Sequence, residues 1–108
     1  MIRDELLRLR ASAEAEAATL ARGLEALFAA SRDSNADDEH DPEGATIGFE
    51  RAQLTALLAG ARERIAALDD ALRRVDAATY GVCERCGQPI AEERLAALPF
   101  ARCCMACA

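Results

Sequence analysis

From Ile2 the apolar positions recur at Ile2, Leu6, Leu9, Ala13, Ala17, Leu20, Leu24 and Leu27, in steps of four and three with one doubled four. That spacing predicts a long amphipathic helix with one stutter, over about 2–32. The charged Arg3, Arg10, Glu14 and Arg22 fall between stripe positions. After Phe28 the stripe fades into Ser31-Arg32-Asp33-Ser34-Asn35-Ala36-Asp37-Asp38, a run of turn formers that ends the helix. A second stripe, Leu54, Leu58, Ala61, Ile65, Leu68, Leu72 and Val75, keeps alternating steps of four and three, the pattern of a coiled-coil seam. Asp41-Pro42-Glu43 has the chemistry of a helix start, while Gly44 and Gly48 weaken helix just beyond it. The expected second helix therefore takes its first turn at Pro42, is firm from about 48, and runs to about 79.

Two helices of matched length, each about 45 Å at 1.5 Å per residue, bury their stripes by folding back on each other. The expected fold is mainly α: an antiparallel two-helix coiled-coil hairpin over 1–79, with its turn over about 33–47, followed by a small module over 80–108. A parallel dimer of long helices leaves the turn formers of the middle segment unexplained. The stripes are read as packing, and Gly23 and Gly60 stay open between close helix approach and simple composition.

Charge changes this picture in one place. The chain of 108 residues has a net charge of −6. Residues 31–50 hold seven acids, Asp33, Asp37, Asp38, Glu39, Asp41, Glu43 and Glu50, against Arg32, so the whole excess lies there. The expected hairpin thus has an acidic tip. An acidic chain with a neutral remainder is poorly suited to neutralising phosphates, which argues against autonomous binding of DNA or RNA. Alanine supplies 26 of the residues, so the apolar fraction overstates the area available for a core around an enclosed pocket. No apolar run is long enough to span a membrane, and the N-terminus lacks a signal-peptide pattern, so the expected location is cytoplasmic. Paired cysteines in that compartment read as a metal site before they read as disulfides.

The module carries the chemistry. Tyr80-Gly81-Val82-Cys83-Glu84-Arg85-Cys86-Gly87 is followed, after seventeen residues counted from Gly87, by Cys104-Met105-Ala106-Cys107. Two Cys-x2-Cys pairs at that separation are a strong zinc signal, because each knuckle turns two thiolates toward one point and four complete a tetrahedron. The expected ligands are Cys83, Cys86, Cys104 and Cys107. Cys103 could replace Cys104, but a spacing of two on both sides is the commoner geometry and favours Cys104. With four sulfurs filling the shell and the sole histidine, His40, in the acidic segment, the expected zinc is structural. Structural zinc contributes on the order of 10–16 kcal/mol in small modules, enough to hold a segment too short to fold by burial alone. Ile90 to Leu98 fits a short helix closed by Pro99, with Ile90, Leu95 and Leu98 able to cover the site.

These residues resemble the DksA/TraR family of bacterial regulators. The matching stretches are Tyr80 to Gly87, Ile90, Arg94-Leu95, Pro99 and Cys104-Met105-Ala106-Cys107, preceded by Leu72-Arg73-Arg74-Val75. The resemblance implies a non-enzymatic transcription regulator that binds RNA polymerase through its secondary channel, the hairpin tip directed toward the catalytic centre. Family members carry Asp-x-x-Asp-x-Ala at the tip; here Asp38-Glu39-His40-Asp41 supplies the two aspartates, while Pro42 and Glu43 follow where the alanine is required. The tip residues so implied are Asp38, Asp41 and Glu43. The chain stops at Ala108, short of the C-terminal helix of longer members, so their dependence on ppGpp is not expected here. The protein is expected to act as a monomer, without sequence-specific nucleic-acid binding or membrane attachment. The competing reading is a zinc-stabilised hairpin adaptor for another protein; nothing in the chain supplies a nucleophile, base or phosphate loop for an enzyme.

Overall fold

A computed structural model describes residues 1–33 and 42–108, with the side chains of 33 and 42–44 also outside the description. The fold is mainly α. Helix α1 is Ile2–Asp33, α2 is Pro42–Asp76, and a short α3 is Glu92–Ala97. Helices α1 and α2 form an antiparallel coiled-coil hairpin, and the cysteine module follows them.

The two stripes are the seam. Leu6, Ala13, Leu58, Ala61 and Leu68 are buried, and the remaining stripe positions are half-buried except Ile2 at the chain start. Helix α2 begins at Pro42, the expected first turn, and continues through Gly44 and Gly48. An added Cβ at Gly48 or Gly60 would meet nothing described within 4 Å, and one at Gly23 would meet Leu54 Cδ1 at an ordinary 3.6 Å. None of the three is required by close helix approach.

The chain divides into two compact units: unit 1 is Met1–Ala11 with Arg64–Ala108, and unit 2 is Ser12–Glu63. In unit 1 the antiparallel register is marked by ion pairs from Arg3 to Asp76 and from Arg10 to Asp69. Leu6, Leu68, Ala71, Cys83, Ile90 and Ala101 form its core. In unit 2 the register is marked by Leu54 against Gly23 and by the Arg51 guanidinium 5.4 Å from the centre of the Phe28 ring. Among its described residues the buried ones are Ala13, Leu58 and Ala61, a narrow seam of small and aliphatic side chains. Among the described residues no helix is long and apolar enough to cross a membrane.

Helix α2 stops at Asp76, short of residue 79, by a paired-bond turn. The Ala78 N–H donates to the Val75 carbonyl at 3.1 Å and the Thr79 N–H to the Arg74 carbonyl at 2.8 Å. Ala78 sits at φ 61°, the left-handed position that such a Schellman turn demands. An alanine there carries a steric penalty that glycine escapes.

Candidate metal centre

Both knuckles are built by local backbone bonds. In the first, Gly87 N–H donates to the Cys83 carbonyl at 2.9 Å and Cys83 N–H to the Gln88 carbonyl at 2.8 Å. Gly81 and Gly87 hold φ of 81° and 74°, which only glycine adopts without strain. A single antiparallel bridge between Val82 and Pro89 closes the loop. In the second, Cys107 N–H donates to the Cys104 carbonyl at 3.1 Å. Glu84 N–H reaches the Arg102 carbonyl at 3.0 Å, which lays the two knuckles side by side.

The sulfurs of Cys83, Cys86, Cys104 and Cys107 consequently lie within 4.8 Å of one another, and Cys86 and Cys104 are 3.7 Å apart. Four thiolates at about 2.3 Å from a tetrahedral zinc stand about 3.8 Å from each other, so the cluster needs only a small contraction to hold one ion. Four sulfurs leave no open position for a reacting water, which makes the site structural.

Electrostatics point the same way. Backbone N–H groups of Cys104 and then Cys86 draw the Cys83 thiol down to about 6. At Cys86 the Gln88 N–H pulls downward, yet the Cys83 and Cys104 sulfurs prevail and the thiol is raised. The sulfurs of Cys104, Cys86 and Cys83 push Cys107 up to about 12. One sulfur is thus primed as an anion while its neighbours resist ionising together, a conflict that a divalent cation removes.

Around the sulfurs stand side chains that spacing alone did not mark as part of the site. Arg74 donates to the carbonyls of Ala101 at 3.0 Å and Phe100 at 3.2 Å. Arg94 donates to the Cys103 carbonyl at 2.9 Å and Arg85 to the Cys107 carbonyl at 3.4 Å. Tyr80 O–H donates to the Pro99 carbonyl at 2.7 Å, and burial raises its phenol above the usual range. Ile90 is buried and Leu95 half-buried, whereas Leu98 remains 38% exposed. Helix α3 is shorter than the expected Ile90 to Leu98 and buries no residue completely. Asp38 and Asp41 lie outside the described residues; Glu43 is in the first turn of α2 with its side chain outside the description.

Residues 78–108 match the prokaryotic dksA/traR C4-type zinc finger. The module is a DksA/TraR-type zinc finger. The likeness runs beyond it: the transcription factor DksA2 from Pseudomonas aeruginosa superposes with a TM-score of 0.82 at 29% identity, covering 98% of this chain and 76% of that one. General stress protein 16O of Bacillus subtilis is 38% identical over 69 residues, 64% of this chain and 42% of its own length. An uncharacterized protein of Aquifex aeolicus is 51% identical over 41 residues, 38% of this chain and 28% of that protein. The chain therefore spans less than half the length of these two curated relatives. The C4 donor set and its fit to a tetrahedral ion make zinc the structural cofactor of this module.

Proposed function

We propose that the protein is a non-enzymatic cytoplasmic regulator of transcription that binds bacterial RNA polymerase at its secondary channel. Its zinc ligands are Cys83, Cys86, Cys104 and Cys107, and the module they build seats on the channel rim. Asp38, Asp41 and Glu43, in the segment that carries the whole charge excess, are directed toward the catalytic centre. The observation that carries this reading is the chain-long likeness to the transcription factor DksA2, hairpin and finger together. A two-helix hairpin with six excess negative charges in one stretch suits a recessed, metal-containing site.

The test is co-migration of the purified, monomeric protein with RNA polymerase at low salt, alongside transcription from a panel of promoters. Binding with altered transcription is expected. The double variant Asp38→Ala, Asp41→Ala is expected to bind and lose much of the effect. Since Pro42 and Glu43 stand where the family pattern calls for a following alanine, a hairpin adaptor for another protein is the second reading. Absence of polymerase binding, with a different protein recovered stoichiometrically from the source cells, would replace the first reading by the second.

A further inference from the structure

We propose that Arg74 couples metal occupancy of the four-cysteine cluster to the last turns of α2, acting as a positioning residue for the metal centre; this rests on the zinc assignment above. Two segments lead into the knuckles. Thr79 and Tyr80 approach Cys83, and Phe100 and Ala101 approach Cys104. Both segments are fastened to the same residue of α2. The Arg74 carbonyl accepts the N–H of Thr79 at 2.8 Å and of Tyr80 at 3.2 Å, while its guanidinium donates to Ala101 and Phe100.

The guanidinium is well placed to report on the cluster. Its side chain is only 13% exposed, and its Nε donates to Asp70 Oδ2 at 3.1 Å, so the fork is fixed in direction and its charge is partnered. Arg102 adds a parallel link, reaching Asp70 at 3.6 Å and, between the first two cysteines, Glu84 at 3.1 Å. A metal ion that fixes the Cys83 to Cys104 separation also fixes where the two carbonyls converge on the fork. When the ion leaves, nothing fixes the Cys83 to Cys104 separation, and a guanidinium with only 13% of its side chain exposed loses acceptors that little water can replace. The end of α2 then loses its anchor. Coupling of this kind is reciprocal, so altering the fork must weaken the metal as much as removing the metal loosens the helix.

Amide hydrogen exchange on the full chain, with zinc and after chelation, tests this in wild type, Arg74→Gln and Arg74→Lys. In wild type, chelation is expected to speed exchange of the α2 amides from Leu68 to Asp76 by about tenfold or more. Both variants are expected to bind one zinc about tenfold more weakly, with exchange in that segment changing by less than about twofold on chelation. Lysine keeps the charge beside Asp70 but cannot serve both carbonyls as a planar fork, so it separates geometry from charge and covers the case in which the glutamine variant fails to fold. Equal loss of protection with and without zinc would make Arg74 a merely stabilising residue and overturn the proposal, as would variants that keep the wild-type response. Wild type without stoichiometric zinc, read by metal analysis rather than by exchange, would overturn the zinc assignment itself.

Discussion

Unit 1 and unit 2 contain stretches of the same two helices, yet they are held together differently. Among its described residues unit 2 buries Ala13, Leu58 and Ala61 along a seam flanked by half-buried stripe positions such as Leu20, Leu24 and Leu54. Unit 1 adds Cys83, Ile90 and Ala101 to its seam residues and surrounds them with arginines that donate to backbone carbonyls. Periodic apolar spacing suffices to align two helices, whereas a loop-rich module of about 30 residues needs ions and directed hydrogen bonds because its apolar area is too small.

Leu6, fully buried in unit 1, is expected to cost about 2–5 kcal/mol when replaced by alanine. Exposed Leu57 of unit 2 is expected to change stability by less than about 0.5 kcal/mol on the same substitution, both read by urea unfolding of the zinc-loaded protein. Comparable losses at the two sites would erase the contrast. Gly87→Ala should cost about 1–2 kcal/mol, since nothing fills the space but φ is 74°. A neutral result in thermal unfolding would mean that the knuckle relaxes freely around its metal.

The reverse change at the end of α2 should help. Ala78→Gly is expected to stabilise unit 1 by up to about 1 kcal/mol, as relief of the left-handed alanine outweighs the added freedom of the unfolded chain. Destabilisation in the same unfolding assay would show the turn to be unstrained. The smallest effect concerns Asp69, whose carboxyl is held below its usual range first by the hydrogen bond from Arg10, with burial opposing and the charges of Arg10 and Arg73 adding to the shift. A lowered folded-state value contributes stability that is present above the unfolded value near 3.8 and is lost as pH falls through the folded value. With Arg10 and Asp69 at 29% and 36% exposure, solvent screens the pair, and Arg10→Ala should remove less than about 1 kcal/mol at neutral pH. The deficit relative to wild type should shrink below pH 4; a deficit independent of pH would assign the Arg10 contribution to packing.

The seam was legible because helical period is written in side-chain type: every stripe position from Leu54 to Val75 is at least half-buried. The sulfur cluster was legible because a tetrahedral ion dictates its own spacing. The joint between them was not. Asp76-Ala77-Ala78-Thr79 contains no glycine or proline, so nothing in it announces that the helix must stop at Asp76. Arg74 stands in sequence as a charged helix residue, and its acceptors lie 26 and 27 residues away on carbonyls that carry no side-chain signature. Leu98 had the composition of a cover but follows α3 at a position that leaves it partly in solvent.

The assignment of four ligands and one spare thiol is tested most directly by counting zinc in purified single-cysteine variants. One ion per chain is expected for wild type and Cys103→Ser, and none retained through gel filtration with a mild chelator for Cys83→Ser, Cys86→Ser, Cys104→Ser or Cys107→Ser. Zinc lost from Cys103→Ser and kept by Cys104→Ser would contradict the account.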